Sequence, residues 1–341
     1  MKILILAVEI TPYFSNSYKR LVEEGHDLLV LHYTDENSPN YLHNNLDVNG
    51  IKHKNCRNLN VIELINESRT FRPSVLLCSG WNIRPFLTLC LFTKAKCVLL
   101  TDSKWQSSFR QRIAIKLRKI LIAPYFDYAF VPGTPQETFM LKLGFPPATI
   151  FKGLFNIDTS GKQLRPISQA SRSFLYVGRL SPEKGIVRML EGYKLYRAQS
   201  QNPFELRIAG AGELLSQARL VPGVNYLGYI PNTDLPELIQ DSRVLVLLSE
   251  QEAWGVAIAE SVANYRPIIC SDTCGAAVDL VKDGVNGWIL KNPTPENIAD
   301  AFLEFELATP WKLEQMSQAN YKFAHLYGPN TWTDFFKQIY S

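Results

Sequence analysis

The amino-acid sequence predicts an α/β protein of two domains, each built on a parallel β-sheet with helices on both faces. A chain of 341 residues is longer than one ordinary hydrophobic core supports, which favours two domains. Short, continuously apolar runs recur along the chain, separated by helix-length segments. Such runs are typical of strands buried on both faces, and their alternation with helices indicates parallel sheets.

Nine apolar runs predict the strands, five in the first half of the chain and four in the second. They are KILILAV, DLLVLHY, SVLLCSG, KCVLLTD and YAFVPG, then SFLYVG, FELRIAG, VLVLLS and PIICSD. Helical segments lie between them, such as SYKRLVEEG, which ends at Gly25, and PEKGIVRMLEGYKLYRAQS. The polar run 159–173 lacks apolar periodicity and predicts the linker between the domains. We therefore expect the functional site in the cleft between them.

The predicted domain boundaries follow from that linker. Residues 1–166 form the predicted N-terminal domain and residues 167–325 the C-terminal domain. Residues 326–341 contain WTDFFKQIYS, which has the pattern of a short amphipathic helix. This helix could pack on either domain, and packing back on the N-terminal domain is one expectation.

Composition excludes several classes of protein. Apolar residues make up 46% and charged residues 20%, the profile of a folded globular chain. No apolar run reaches the roughly 18 residues of a membrane-spanning helix. The opening apolar run meets Glu9 too soon for a secretory signal, so we expect a cytoplasmic protein. The cysteines lack zinc-type spacing and are expected to be free thiols: Cys56, Cys78, Cys90, Cys97, Cys270 and Cys274.

The segment KWQSSFRQRIAIKLRKILIAPYF (104–126) is basic and contains no acidic residue. If it is helical, four apolar side chains form one stripe flanked by basic ones. Two interpretations stay open: an amphipathic helix that packs on a sheet with a solvated basic face, or a surface over 104–121 that meets anionic lipid headgroups. Nucleic acid is not expected as a partner, because no DNA-reading motif accompanies the charge. The stripe consists of Ile113, Leu117, Ile120 and Leu121; the basic residues are Lys104, Arg110, Arg112, Lys116, Arg118 and Lys119.

Two loops in the second half could hold a phosphorylated ligand. VGRLSPEKG (177–185) places Arg179 and Lys184 just beyond an apolar strand, where open parallel sheets bind ligands. Gly178 permits close approach of the backbone, and the two cations beside a helix start suit a diphosphate. A surface network of Arg179, Glu183 and Lys184 is the alternative interpretation. RIAGAGE (207–213), with Gly210, resembles a tight turn that lines a nucleotide pocket, although it lacks the full dinucleotide pattern.

The stretch SEQEAWGVAIAESVANYRPIICSD carries two glutamates in mostly apolar surroundings. A helix that begins near Gly255 presents free backbone N–H groups and its positive dipole end to an anion. Glu252 precedes that helix and Glu260 lies within it, and carboxylates so placed need donors such as sugar hydroxyls. From these residues alone, two sugar contacts and a structural ion pair remain equally open.

The region 249–290 resembles the E-x7-E signature of family-4 retaining glycosyltransferases, with the glutamates at Glu252 and Glu260. VGRLSPEKG is similar to the family's other marker, and LKLGFPPATIFKGLFNIDT resembles its stretch ahead of the linker. The resemblance covers most of residues 124–290. The signature continues here through Pro267, Gly275, Asp279 and the DGVNG turn at 283–287.

The resemblance implies a GT-B architecture, in which two Rossmann-like domains face each other across a cleft. It implies that the C-terminal domain holds a UDP- or GDP-linked sugar, which is transferred to a hydroxyl acceptor in polysaccharide or glycolipid synthesis. Carried over by position, Arg179 and Lys184 hold the diphosphate and Glu260 binds the ribose hydroxyls. Glu252 contacts the transferred sugar. The backbone at Gly178, Gly210, Gly255, Val256 and Ala257 completes the implied donor site. No metal or other cofactor is expected, and no Asp-x-Asp motif ends a predicted strand.

The first domain departs from the family pattern. EITPYFSNSYKR (9–20) stands where many relatives have a Gly-Gly loop, and Asp102 or Ser103 stands where many have a histidine. Asp102 could orient an acceptor or donor hydroxyl, or it could cap the next helix.

Two alternatives to a transferase remain open. One is a sugar-nucleotide epimerase of the same architecture, against which the E-x7-E and GRLSPEKG pair argues. The other is a non-catalytic nucleotide-sugar-binding protein, which the altered first domain keeps open although both cations and both glutamates are retained.

Overall fold

The computed structural model describes residues 1–10, 14–34, 51–155, 159, 162–324, 328 and 330–340. The chain divides into two compact units. The first unit contains Met1–Asn156 together with Pro329–Ser341, and the second contains Ile157–Gly328. Among the described helices, none is long and apolar enough to cross a membrane.

Within the described residues, the first unit holds a seven-stranded, fully parallel sheet. The spatial order of its strands is β3-β2-β1-β4-β5-β6-β7. The strands are β1 (Lys2–Ala7), β2 (Asp27–His32), β3 (Ile51–Asn55), β4 (Val75–Cys78), β5 (Lys96–Leu100), β6 (Tyr128–Val131) and β7 (Ile150–Lys152). Because β1 pairs with both β2 and β4, the direction of winding reverses between β1 and β4, which makes this the Rossmann-like switch point.

Helices cover both faces of the first sheet. They are α1 (Ser15–Glu23), α2 (Val61–Phe71), α3 (Arg84–Phe92), α4 (Phe109–Lys116), α5 (Arg118–Leu121), α6 (Thr134–Lys142) and the last helix (Thr331–Tyr340). The last helix belongs to the first unit, because its apolar face is buried there among α1 and the strands. The Phe335 ring stacks on Phe130 with 4.6 Å between centroids, and the Trp332 indole N–H donates to the Leu154 carbonyl at 3.0 Å. The amphipathic tail thus completes a core that begins with the first strand.

The second unit contains a six-stranded parallel sheet in its described residues, with the order β10-β9-β8-β11-β12-β13. Its strands are β8 (Ser171–Val177), β9 (Glu205–Ala209), β10 (Val224–Gly228), β11 (Ser242–Leu247), β12 (Ile268–Ser271) and β13 (Gly287–Leu290). β8 pairs with both β9 and β11, so the winding reverses between β8 and β11. The predicted ligand loops, GRLSPEKG and SEQEAWG, follow these two strands.

The helices of the second unit are α7 (Ile186–Gln199), α8 (Leu215–Arg219), α9 (Leu235–Gln240), α10 (Val256–Ala263), α11 (Gly275–Leu280), α12 (Pro295–Leu307) and α13 (Pro310–Ala324). A capping box between Thr294 and Asn297 fixes the start of α12. Aromatic rings hold α7 and α12 on the sheet: Phe174 of β8 stacks on Phe302 with 4.2 Å between centroids. This packing supports the strand that leads into the GRLSPEKG loop.

The predicted fold class, two Rossmann-like parallel-sheet units, is confirmed, and the structure adds four strands to the nine that the apolar runs predicted. The added strands are β3, β7, β10 and β13, which are the outer strands of the two sheets. An outer strand is covered less completely than a central one, so its sequence need not be continuously apolar. β3 illustrates this, since only Ile51 of IKHKN is buried.

Candidate active site in the second unit

The loop after β8 lies against the loop after β9. The Gly178 N–H donates to the Ala209 carbonyl at 3.0 Å, and the Leu180 N–H donates to the Ala211 carbonyl at 2.8 Å. Gly210 has a φ of 146°, and a Cβ atom there would lie 1.8 Å from the Gly178 carbonyl oxygen. Gly210 is therefore required for the loops to approach each other, and this contact fixes the backbone from which Arg179 projects.

Lys184 is held at the end of β11 by a tight turn. It ends a short 3₁₀ turn, Pro182–Lys184, and Gly185 follows with a φ of 69°. A Cβ atom on Gly185 would lie 2.1 Å from the Leu248 carbonyl oxygen, so the turn packs directly on the strand end. The Lys184 ammonium consequently reaches Glu252, to whose Oε2 it donates a hydrogen bond. Both side chains are largely buried, with 15% and 13% of their surface exposed.

Glu252 is oriented by hydroxyl groups that the sequence patterns did not single out. The Ser249 hydroxyl donates to Glu252 Oε2 at 3.1 Å, and Ser249 is fully buried. The Ser249 carbonyl in turn accepts from the hydroxyls of Ser271, at 2.6 Å, and Thr273, at 2.5 Å. The loop that carries Glu252 is thus bound to the loop after β12. The available signal was a serine at the carboxyl end of a buried strand, three residues before the glutamate.

Arg179 is placed differently from Lys184. Its side chain is 73% exposed, and its guanidinium lies 3.3 Å from Glu183 Oε1. Glu183 also accepts from the Ser181 hydroxyl at 2.6 Å, and this hydrogen bond is the main reason why the pKa of Glu183 is lowered. Arg179 is therefore an exposed cation beside the switch point, whereas Lys184 is largely buried within it.

The amino end of α10 offers backbone donors to an anion. Its N-cap is Gly255, with a φ of 98°, and no side chain caps the helix. Val256 and Ala257, the first two residues of the helix, are half-buried. Because the first N–H groups of a helix have no partner within it, this end can receive negative charge.

Glu260 lies in the second turn of α10 and is half-buried. Within the described part of the chain, no group donates a hydrogen bond to its carboxylate. Burial raises its pKa to about 7, and the positive charge of Lys162 acts in the opposite direction. A half-buried carboxylate without a donor from the described protein is suited to accept hydrogen bonds from a ligand. Lys162 belongs to the predicted linker, and no sequence pattern pointed to it.

Asp102 belongs to the first unit, whereas the other predicted site residues belong to the second. It is exposed and lies two residues after the end of β5, where its backbone carbonyl accepts from the Gln136 amide at 3.2 Å. The expectation that it caps the next helix is wrong. That helix, α4, begins at Phe109, and its cap is Ser108, whose hydroxyl accepts from the Gln111 N–H at 3.3 Å. Residues 11–13 of the atypical loop after β1 lie outside the described residues.

The second unit thus brings two cations and two carboxylates to the edge of the sheet at which its winding reverses. The cations and the amino end of α10 can neutralise a diphosphate, and the carboxylates can accept from sugar hydroxyls. No group of three or more His, Cys, Asp or Glu residues in the described ranges is placed to hold a metal ion.

The two parallel sheets, each with its own switch point, give the chain the fold class of the GT-B architecture. The model of the family described as glycosyl transferases group 1 matches residues 162–323, which lie within the second unit.

The curated proteins that match this chain include glycosyltransferases. O-antigen chain mannosyltransferase B of Escherichia coli is 29% identical over 106 residues, which cover 29% of this chain and 28% of that protein. The GtfA subunit of the UDP-N-acetylglucosamine–peptide N-acetylglucosaminyltransferase of Streptococcus parasanguinis is 26% identical over 326 residues, covering 81% of this chain and 64% of that protein. The chain therefore spans less than two thirds of the length of either relative.

Solved structures support the fold across the whole chain. HepE of Anabaena, crystallised in complex with UDP-glucose, aligns with a TM-score of 0.79 over 99% of both chains. The two sequences are 15% identical, so the likeness shows the fold alone.

Proposed function

We propose that the protein is a retaining, metal-independent glycosyltransferase of the family-4 type, which moves a sugar from a nucleotide-sugar donor to a hydroxyl acceptor. The observation that carries this proposal is the contact between Lys184 and Glu252 beside the free amino end of α10. It places a fixed cation, a carboxylate and backbone donors at the switch point of one sheet, where a diphosphate and its attached sugar would meet all three.

Each charged group has a role in the proposed reaction. Arg179, Lys184 and the first N–H groups of α10 bind the diphosphate and stabilise the negative charge that grows on it as the leaving group departs. Glu260 accepts hydrogen bonds from the ribose hydroxyls. Glu252 accepts from a hydroxyl of the transferred sugar. Because these cations and the helix dipole supply the positive charge, the proposed reaction needs no metal ion.

The proposed chemical step retains the configuration of the sugar. The bond between the sugar C1 and the diphosphate oxygen breaks, and both electrons go to the diphosphate. The acceptor oxygen then forms its bond to C1 from the same face, and its proton passes to the departing diphosphate oxygen. We assign Asp102 to the acceptor side, where its carboxylate would orient the incoming hydroxyl.

The donor and acceptor classes are also part of the proposal. We favour a UDP-linked sugar over a GDP-linked one, because the HepE structures contain UDP or UDP-glucose and the GtfA subunit is named for UDP-N-acetylglucosamine. We infer a polysaccharide or a lipid-linked glycan as acceptor, since relatives are named for O-antigen and poly(glycerol-phosphate). The reaction would take place in the cytoplasm, with residues 104–121 peripheral on the inner face of the membrane.

The experiment is an incubation of the full chain with a panel of labelled UDP- and GDP-sugars, with and without EDTA. We expect slow donor hydrolysis that persists in EDTA, and faster transfer when a glycan acceptor is added. Glu252→Gln, Arg179→Ala and Lys184→Ala should each abolish or strongly reduce turnover. Lys194→Ala, an exposed lysine on α7, is the matched control and should behave like the unaltered protein.

Three outcomes would redirect the assignment. Loss of all activity in EDTA, restored by a divalent cation, would contradict the metal-independent mechanism. Conversion of one nucleotide sugar into its epimer would indicate an epimerase. Tight binding of donors without any turnover would indicate a nucleotide-sugar-binding protein.

A further inference from the structure

The segment from Phe109 to Ile120 shows an apolar stripe to solvent. The helical pattern predicted a stripe of Ile113, Leu117, Ile120 and Leu121 and left open whether it packs on the sheet. The Leu121 side chain lies outside the described ones, whereas the other three are exposed, and Phe109 joins them. Phe109 is 77% exposed, Ile113 38%, Leu117 44% and Ile120 69%. A single exposed apolar residue is ordinary, but four in one short segment form a continuous patch.

The stripe lies on the outer side of α4 and α5. Phe109 and Ile113 lie one turn apart on α4, and Leu117 follows where α4 ends; at about 100° per residue these three fall within an arc of about 80°. Ile120 continues the exposed apolar surface on α5. Ala114 and Ile115, on the opposite side of α4, pack against the apolar core of the first unit. The core side and the exposed stripe are therefore separate faces. The exposed residues are not a poorly packed part of the core.

Positive charge flanks the stripe on both sides. Arg110 falls on one flank, and Arg112 and Lys116 fall on the other; all three are exposed. No acidic residue occurs anywhere in 103–126, so nothing in the segment compensates these charges. The three cations are therefore available to an anionic group from outside the segment.

We propose that this surface docks on an anionic lipid membrane, inserting Phe109, Ile113, Leu117 and Ile120 among the acyl chains while the flanking cations bind headgroup phosphates. An interfacial helix of this kind needs an apolar face and a basic face, and α4–α5 presents both. An acidic protein partner would form ion pairs with the cations, and a second copy of the chain could cover the apolar stripe. An anionic membrane supplies both requirements along the length of the segment, with acyl chains for the stripe and phosphates for the cations.

The surface gives the proposed enzyme a location. A transferase that acts on a lipid-linked glycan gains from residence at the membrane, because its acceptor is confined to that surface. This benefit rests on the proposed function, whereas the docking itself does not. Vesicle binding can therefore be measured without any donor or acceptor.

The experiment measures partition of the full chain into two kinds of vesicle, one of phosphatidylcholine alone and one that also contains phosphatidylglycerol. We expect binding to the anionic vesicles that weakens as salt is raised. Arg110→Gln, Arg112→Gln and Lys116→Gln should each reduce the partition coefficient about fivefold. Phe109→Ser combined with Ile120→Ser should reduce it at least about tenfold.

Insertion is tested separately from surface attachment. The chain has six tryptophans of its own. The extra fluorescence that the Phe109→Trp variant shows over the unaltered chain should be quenched by brominated acyl chains in anionic vesicles, because the proposal places this side chain below the headgroups. Leu307→Trp, at a position in the second unit that is 78% exposed, is the matched control and should not be quenched.

The results separate this inference from the proposed function. Donor hydrolysis should be unchanged in the Phe109→Ser, Ile120→Ser variant, since neither residue lies in the donor site. Equal partition of this variant and the unaltered chain would overturn the inference, as would unquenched fluorescence of the Phe109→Trp variant. Vesicle-independent dimerisation that the double variant abolishes would assign the stripe to a second copy of the chain instead.

Discussion

The contact between Lys184 and Glu252 leads to an unusual prediction. Removing the carboxylate should tighten the binding of UDP while abolishing turnover. In the structure the carboxylate engages the ammonium group that we assign to the diphosphate. Glu252→Gln removes a negative charge next to the incoming anion and frees Lys184 for it. A gain of about 1 kcal/mol, or about fivefold in affinity, is expected for relief of one such charge interaction in a partly solvated site.

The same contact predicts a non-additive effect on stability. Breaking a fully buried ion pair costs about 3–5 kcal/mol, and here the exposure of 15% and 13% reduces the expected cost of Lys184→Met to about 2 kcal/mol. Glu252→Gln should cost about 1 kcal/mol, because the amide can still accept from the Ser249 hydroxyl. The loss of stability in the double variant should be about 1–2 kcal/mol smaller than the sum of the two single losses, since the double variant leaves no unpaired charge.

Urea unfolding of the full chain and calorimetric titration with UDP measure the two effects. The control is Arg179→Met, which removes a cation that is 73% exposed, and it should leave stability nearly unchanged while weakening UDP binding. If the stability losses of the two single variants add up to that of the double variant, Lys184 and Glu252 are not coupled. Weaker UDP binding by Glu252→Gln would refute the reasoning that the carboxylate competes with the diphosphate.

The second unit yields three further predictions. The pKa of Glu260 is raised to about 7 from an ordinary value of 4.5, so its contribution to stability is present below pH 4.5 and is lost as pH rises through 7. Binding of a ribose that donates to the carboxylate should therefore strengthen between about pH 6 and pH 8. Calorimetry should show a smaller pH dependence of binding in Glu260→Gln. The same pH dependence in this variant and in the unaltered protein would contradict the role of Glu260. Gly210→Ala should cost at least about 3 kcal/mol in urea unfolding and lose UDP binding, because its Cβ atom would lie 1.8 Å from a carbonyl oxygen. Gly228→Ala, where no atom lies within 4 Å of the added Cβ, should cost only about 1 kcal/mol of backbone strain, and equal costs at the two glycines would count against the steric argument. Ser249→Ala should lower kcat about tenfold with little change in KM, because it leaves Glu252 in place with one fewer hydrogen bond to orient it; Ser249→Thr should recover much of the loss, and an effect on KM alone would argue for a different role.

The central strands could be read from the sequence because they are buried on both faces. VLVLLS and SFLYVG are continuously apolar, and the structure places them as neighbours in the middle of the second sheet. The outer strands had no such signal: Val224–Gly228 is only partly buried along its length. Sequence patterns therefore predicted the centre of each sheet and missed its margins.

The site was predictable only in part, for a related reason. Spacing within the sequence indicates which loops follow which strands, so it identified Lys184 and Glu252 as candidates. It does not show contacts made across loops, and the Ser249 hydroxyl and the charge of Lys162 became visible only in three dimensions. The stripe on α4 shows the same limit, because periodicity defines an apolar face without stating whether that face lies inward or outward.

The configuration of the sugar first released from an α-linked UDP-sugar tests the central claim most directly. Proton NMR during slow hydrolysis, recorded in EDTA before the anomers equilibrate, distinguishes the two products. A retaining transferase that uses Lys184, Arg179 and the amino end of α10 in place of a metal should release the α anomer, and Glu252→Gln should release none. Initial release of the β anomer, or hydrolysis that requires a divalent cation, would contradict the mechanism.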